Sequence, residues 1–378
     1  MSDDLTRALN LADFEAMAAE VMDRAAFDYV AGGAGDEVTL AGNLAAWRRW
    51  RLQPRVLVQV STIDTSTTWL GGPVTAPIGI APMAFQHFAH PDAELAMARA
   101  AAKAGVAMCL STLSSRSLEE VADAADGAGE AGGGGGAGGP RWFQLYVHRD
   151  RGVSAELVAR AAEAGYSALV VTVDLPVAGR RERDLRNAFA YPQSFTNFAL
   201  PASDAVALAG EAPLAAVIGG FNDASLSWKD VEWLRGLGDM PLLLKGILTA
   251  DDARLAVDHG VAGVVVSNHG GRQLDRVPAS IDVLPEVVEA VAGRAEVYVD
   301  SGVRRGVDVL TALALGARGV FVGRPLFFAL AAGGGDGVAL AIELLAAEMR
   351  NDMALLGVRS VQEIGRFHVR ESGAERSW

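Results

Sequence analysis

Short runs of apolar and β-branched residues recur along this chain, spaced so that one amphipathic helix fits between neighbouring runs. They fall at residues 78–81, 106–110, 142–146, 168–173, 241–245, 263–266, 296–299 and 319–322. Each run is nearly continuous in apolar residues, as expected of a strand buried on both faces in a parallel sheet. Residues 91–104, 154–164, 250–259 and 304–315 instead carry apolar positions at helical spacing. Eight strands alternating with helices predict an α/β protein, for which a (β/α)8 TIM barrel is the economical closure and an open doubly wound sheet the alternative. A helical stretch at residues 11–32 precedes the first unit. The expected organisation is an N-terminal helical segment over residues 1–70, a barrel over 71–357 and a C-terminal tail over 358–378.

Two segments interrupt the rhythm. Residues 126–140 are nearly all Gly and Ala, and Gly127, Gly129 and Gly132 have the spacing of a dinucleotide fingerprint. That motif needs a strand before it and a helix after it, whereas a helix-like run at 117–125 precedes and a strand follows. A flexible surface loop over 127–140 is therefore expected. Residues 191–227 stand where a short loop and helix would follow the fourth strand, and an insertion of that length at that end of a barrel suggests a lid. Its apolar part, 205–221, lacks the basic residues of a membrane-surface anchor, follows directly on Asp204 and holds Glu211.

Composition narrows the function classes. Hydrophobic residues make up 51% of the chain and charged residues 21%, which fits a globular protein with a large core. A formal net charge of -13, with no Lys or Arg block able to track phosphates, argues against nucleic-acid binding. The segment Met1-Ser2-Asp3-Asp4-Leu5 lacks the basic and apolar parts of a signal peptide, and no uninterrupted apolar run reaches spanning length. A cytoplasmic protein without a membrane partner is expected. The single cysteine, Cys109, cannot form an internal disulfide and sits in an apolar run as a small core residue.

Polar residues gather where the predicted strands end. The first strand runs into Ala81-Pro82-Met83-Ala84 and the second into Ser111; the third carries Gln144 and Tyr146, the fourth Thr172 and Asp174. The fifth ends in Lys245, the sixth in Ser267-Asn268-His269-Gly270-Gly271-Arg272, the seventh in Asp300-Ser301-Gly302 and the eighth in Gly323-Arg324. A TIM barrel assembles its chemistry at these ends, so eight in register are hard to explain by structure alone. His269 can accept a proton near neutral pH, and Arg272, three positions on, can grip a carboxylate. Together they suit an anionic substrate that loses a proton beside its carboxylate, and the paired glycines between them would let backbone approach a ligand. A polar turn with a surface ion pair is the simpler alternative. In the last two units, glycine amides at helix starts combine with Arg304 and Arg324 into an anion pocket at the usual phosphate position of this fold, which implies a phosphate-bearing cofactor. Helix capping by Asp300 and Ser301 would need no ligand. His87 and His90 have the spacing of a metal pair but no carboxylate or thiol cluster beside them, so no metal is expected.

The stretch Ser-Asn-His-Gly-Gly-Arg-Gln-Leu-Asp at 267–275 closely resembles the signature of the FMN-dependent 2-hydroxy acid oxidases and dehydrogenases, which include glycolate, lactate and mandelate-oxidising enzymes. Supporting matches are Asp28-Tyr29, Ile80-Ala81-Pro82, His90-Pro91, Phe143-Gln144-Leu145-Tyr146, Thr172-Val173-Asp174, Gly179-Arg180-Arg181, Leu244-Lys245-Gly246 and Asp300-Ser301-Gly302-Val303-Arg304. The similarity runs from about residue 27 to 357.

The resemblance implies FMN as cofactor, a small 2-hydroxy acid and O2 as partners, and a homo-oligomer, a tetramer or octamer. It implies that His269 takes a proton during oxidation of the substrate α-carbon, with Asp174 stabilising the protonated imidazole. Arg272 and Tyr29 would bind the substrate carboxylate, Arg181 would add positive charge, and Tyr146 would hydrogen-bond the substrate oxygen. Lys245 would lie beside the flavin. Main chain at Ala81, Pro82, Met83 and Ala84, with Ser111, Gln144, Thr172 and Ser267, would hold the isoalloxazine; Asp300, Gly302, Arg304, Gly323 and Arg324 would hold ribityl and phosphate. Leu113 stands where the glycolate oxidases carry a Trp that narrows the pocket, and Met83 and Phe85 suit an aromatic wall. The resemblance therefore favours an aromatic (S)-2-hydroxy acid, such as mandelate or 4-hydroxymandelate, oxidised to its 2-oxo acid. Lactate oxidation, by an oxidase or a monooxygenase, is the next reading; a flavin oxidase of a modified peptide is another. Ala84 resembles the residue found in members that pass electrons to O2 and release hydrogen peroxide.

Overall fold

The structure is a computed structural model that describes residues 3–131, 138–189, 196–198 and 214–372. Eight parallel strands close into one barrel. They are β1 (Ile78–Ile80), β2 (Ala107–Ser111), β3 (Arg141–Leu145), β4 (Ala168–Thr172), β5 (Leu242–Ile247), β6 (Gly263–Val266), β7 (Glu296–Val299) and β8 (Gly319–Val322). Each pairs with the next, and β8 returns to β1 through Val320 opposite Ile78. This is the (β/α)8 barrel, so the open-sheet alternative falls. Closure is decided by the single Val320 to Ile78 pairing pattern, which no local sequence feature announces.

Period-two side-chain alternation sorts each strand between two cores. Cys109, Trp142, Val170, Leu243, Val265, Tyr298 and Phe321 form one cluster. Their neighbours Met108, Leu110, Phe143, Leu169, Val171, Leu244 and Val264 belong to a second, larger cluster with the helices. Trp69, from a hairpin pairing Thr67–Trp69 with Gly72–Val74, joins the first cluster. Its ring lies 4.8 Å from Tyr298, 5.4 Å from Phe321 and 5.7 Å from Trp142. The close approach depends on Gly319, where a Cβ would fall 2.1 Å from Trp69 Cζ2. Gly319→Ala should therefore destabilise the barrel by about 1–3 kcal/mol through overpacking. An unchanged urea midpoint would show that the tryptophan can simply move aside.

The N-terminal segment departs from its expected extent. Two helices, Asp13–Val21 and Arg24–Ala31, replace one run because the Asp23 carboxylate caps the second, accepting from Ala25 N at 2.9 Å and Ala26 N at 3.2 Å. A third helix, Val38–Trp47, ends the helical part. Residues 48–70 are not helical: Trp50–Leu52 pairs antiparallel with Val369–Glu371 of the tail. Pro54 and the β-branched Thr65, Thr67 and Thr68 disfavour a helix there.

The helix after β2, Leu118–Ala131, runs past residue 125 into the segment expected to be a loop. Its alanines keep the helix although Gly127 and Gly129 each cost about 1 kcal/mol relative to Ala. Residues 132–137 lie outside the described residues, as do 191–195 and 199–213 of the expected lid. The described end of that insertion forms a helix, Leu214–Phe221. Asn222 then donates to Leu175 O at 2.6 Å, joining it to the mouth after β4. The long apolar helix Arg324–Leu356 has the length and composition of a membrane span, yet it breaks at Gly333 and Gly334, and 61% of its most apolar window is buried.

Candidate active site

Beyond β6 the chain curls through three successive left-handed residues, His269 (φ 57°), Gly270 (φ 66°) and Gly271 (φ 72°). Both glycines are crowded by protein atoms, and Gly270 also lines the cleft. A Cβ on Gly271 would meet Leu40 N at 2.7 Å, and one on Gly270 would meet Arg324 Nη1 at 2.5 Å. Asn268 fixes the turn by accepting from Gly271 N at 3.1 Å and exchanging amide hydrogen bonds with Asn43 at 2.9 and 2.7 Å. Asp275, the last residue of the signature, accepts from Thr39 N at 2.8 Å and Asp36 N at 3.0 Å. It thereby caps the Val38–Trp47 helix, whose own flanking residue, Glu37, makes no side-chain cap.

The strand ends are wired together. Ser267, fully buried, accepts on its hydroxyl from Lys245 Nζ and from His269 N, both at 3.0 Å. Lys245 Nζ lies 3.4 Å from Asp300 Oδ2, and Ser301 Oγ donates to Asp300 Oδ1 at 2.7 Å while accepting from Gly270 N at 3.0 Å. Burial pulls against the Lys245 charge, but Asp300 and Asp174 hold its ammonium above the usual lysine range. A permanent cation thus sits in the floor of the site.

His269 Nδ1 is 2.8 Å from Asp174 Oδ1. The carboxylate comes from the turn after β4, where Gln273 Nε2 donates to Asp174 O at 2.9 Å. Gly246 makes room: at φ 110° its Cβ would fall 2.6 Å from Asp174 Cβ. Burial disfavours the Asp174 charge, yet His269 and Lys245 hold the carboxyl below the usual range. Burial also pushes the His269 imidazole down, outweighing the upward pull of Asp174. The result is a neutral imidazole oriented by an ionised carboxylate, with Nε2 as the ring nitrogen left for a substrate.

Arg272 lies across the N-terminal segment. Its Nη1 donates to Tyr29 O at 2.5 Å and Gly32 O at 3.2 Å, and its guanidinium carbon is 4.8 Å from the Tyr29 ring centre. Arg181 Nε reaches Arg272 O at 3.4 Å. Burial, together with the facing Asp174, pushes the Tyr146 phenol upward, so it remains a hydrogen-bond donor.

Most of these side chains line one cleft. Tyr29, Ala81, Pro82, Met83, Ala84, Ser111, Leu113, Tyr146, Thr172, Arg181, Lys245, His269, Arg272, Asp300, Gly302, Arg304, Gly323 and Arg324 all line it. Of the expected site residues, Gln144, Asp174 and Ser267 do not; Asp174 and Ser267 stand behind His269 and Lys245. Leu175, Ile218 and Phe327 line it without having been singled out from sequence. The first two adjoin or lie within segments already marked; Phe327 reads only as an apolar residue of the last barrel helix. His87 and His90 bond locally, His87 Nδ1 to Ser115 Oγ at 2.8 Å and His90 Nδ1 to Asp92 N at 3.1 Å.

The residues present fit FMN. Arg304 and Arg324 are half-buried, and neither forms an ion pair among the described residues; Arg304 donates to Val303 O, Arg324 to Val30 O and Gly32 O. Burial and the surrounding Arg272, Arg304 and Arg181 press the Arg324 pKa down. Two half-buried cations that face a cleft without carboxylate partners suit a phosphate. At the end of β3, buried Gln144 Nε2 has no hydrogen-bond partner among the described residues, a donor suited to a polar ring edge.

A barrel with a phosphate site after β7 and β8, a buried lysine and an Asp-held histidine beside arginines defines a flavin oxidoreductase of carboxylate substrates. A profile for the FMN-dependent dehydrogenase family matches residues 18–371. Glycolate oxidase 3 of Arabidopsis thaliana is 48% identical over 363 residues, covering 96% of this chain and 95% of that protein. L-lactate oxidase of Nostoc sp. is 48% identical, covering 95% and 97%. A structure of mandelate oxidase with (S)-4-hydroxymandelic acid superposes with a TM-score of 0.88 at 44% identity, covering 97% of this chain and all of that one. This chain belongs to the FMN-dependent 2-hydroxy acid oxidase family.

Proposed function

We propose that the enzyme oxidises an (S)-2-hydroxy acid with a bulky, preferably aromatic, side chain to the 2-oxo acid, reducing O2 to hydrogen peroxide. The observation that carries the choice of side chain is the cleft wall. Met83, Phe85, Leu113, Leu175 and Ile218 line it with apolar side chains, and Leu113 is smaller than the Trp that the family resemblance places there in glycolate oxidases. Aromatic rings extend this face: Tyr29 stacks on Phe189 at 4.8 Å, with Phe85 and Phe88 at 6.4 and 6.1 Å from Tyr29. The likeness to mandelate oxidase supports this reading, while the higher identity to glycolate and lactate oxidases favours a small acid. Whole-chain identity averages over residues that never meet substrate, so the lining residues weigh more.

In this reading Arg272, Arg181 and Tyr29 hold the substrate carboxylate, and Tyr146 donates to its hydroxyl oxygen. His269 Nε2 takes a proton from the substrate, and Asp174 stabilises the imidazolium that forms. Lys245, kept charged by Asp300 and Asp174, supplies fixed positive charge at the cofactor. Arg304 and Arg324 would hold the FMN phosphate, with Ser111, Gln144 and Thr172 at the ring. FMN, when bound, accepts two electrons from the acid and passes them to O2.

The test is anaerobic mixing of the yellow holoenzyme with (S)-mandelate, (S)-lactate or glycolate, following loss of flavin absorbance. Mandelate should bleach the flavin fastest. Rapid bleaching by glycolate alone would sink the large side-chain pocket.

A further inference from the structure

Glu94 is a carboxyl with no exposed surface and no ion pair among the described residues, in the first turn of the helix Ala93–Ala104. A buried acid without a cation is costly to keep unless its hydrogen bonds do something a hydrocarbon could not. Those bonds run in two directions. Glu94 Oε1 accepts from Gln86 N at 3.2 Å, in the loop after β1. It also accepts from Ser115 N at 2.9 Å and Ser115 Oγ at 3.3 Å, in the loop after β2. The first loop carries Met83, Ala84 and Phe85 into the cleft, and the second carries Leu113.

The two loops also meet directly, Phe85 N donating to Leu113 O at 3.1 Å. Phe85 is held left-handed at φ 57°, a conformation that a phenylalanine adopts only under constraint. Glu94 extends the tie on both sides. Gln86 Nε2 reaches back to Met83 O at 3.4 Å, and Ser115 Oγ contacts His87 N at 3.1 Å. Among the described residues, Glu94 Oε2 and Gln86 Oε1 are both buried without hydrogen-bond partners. Burial pushes the Glu94 carboxyl up, against the opposing pull of the hydrogen bonds from Ser115 and Gln86.

We infer that Glu94 is a positioning residue for substrate selection: from behind the cleft, its carboxyl pins the two loops that form the side-chain wall and so sets the size of 2-hydroxy acid admitted. This rests on the reading of Met83, Phe85 and Leu113 as that wall. Glu94 touches neither substrate nor cofactor, so its removal changes selection rather than chemistry.

The experiment compares FMN-loaded wild type, Glu94→Ala, Glu94→Gln and Leu113→Trp in steady state, using glycolate and the bulkiest 2-hydroxy acid that the wild type oxidises. Glu94→Ala should lower the kcat/KM ratio, bulky acid over glycolate, about tenfold, mainly by raising KM for the bulky acid. FMN content and kcat for glycolate should hold within about twofold. Glu94→Gln, which keeps an acceptor and adds a donor, should restore the ratio to within about threefold of wild type. Should the alanine variant not fold, Glu94→Asp serves instead, since its shorter arm cannot span both loops. The inference is overturned by an unchanged ratio, by equal losses for both acids, or by a Gln variant as impaired as the Ala one. Leu113→Trp separates the two readings. A ratio that it too leaves unchanged removes the wall assignment itself, whereas a ratio that responds to Trp but not to Glu94 removes only the role of Glu94.

Discussion

Replacing His269 with alanine is expected to slow flavin reduction by the 2-hydroxy acid at least about 10²-fold while FMN stays bound, the usual scale for a positioned base. The two effects separate because the imidazole and the phosphate pocket draw on different elements. His269 hangs from a left-handed turn after β6 and is oriented by Asp174 at 2.8 Å, whereas Arg304 and Arg324 follow β7 and β8. Burial places the imidazole below its ordinary value of 6.5, so it is the free base at neutral pH. Reduction by the wild type should therefore hold steady through neutrality and fall only as pH drops through that lowered pKa. Stopped-flow reduction across pH, with flavin content measured on the same samples, checks both statements. Near wild-type reduction by the variant would show that another group takes the proton.

Asp174→Asn should lower the plateau rate by about 10²-fold and move its acid limb to still lower pH. The amide keeps an oxygen for Nδ1 but loses the negative charge, which is the largest influence raising the His269 pKa. In the wild type, His269 and Lys245 hold the Asp174 carboxyl below its ordinary value of 3.8 against the opposing effect of burial. The sign is therefore fixed: without the carboxylate the imidazole is a weaker base, its protonated form is less stabilised, and the limb shifts down. A limb that moves up, or a plateau that does not fall, would mean that Asp174 only orients the ring.

The eight strands were readable because a strand buried on both faces has few alternatives to a short apolar run, and each run matches its observed strand to within two residues at either end. The catalytic candidates were readable because barrel geometry delivers strand-end residues to one face, wherever they lie in sequence. Glu94 was not readable. One acidic residue at a helix start resembles any surface carboxylate until tertiary structure covers it. The Gly-rich stretch misled in the opposite sense, because helix propensity summed over its alanines carries Leu118–Ala131 past Gly127 and Gly129.

Sequence alone determined the barrel's units and the polar residue types that stand at the strand ends, since these depend on periodicity and on local order along the chain. Tertiary structure divided the signature among different tasks. His269 and Arg272 face the cleft, while Asn268, Gly271 and Asp275 anchor the Val38–Trp47 helix through Asn43, Leu40 and Thr39. It also decided that His269 is held neutral and Lys245 charged. Those outcomes follow from burial and from charges that arrive on other strands, and a linear chain carries no record of either distance.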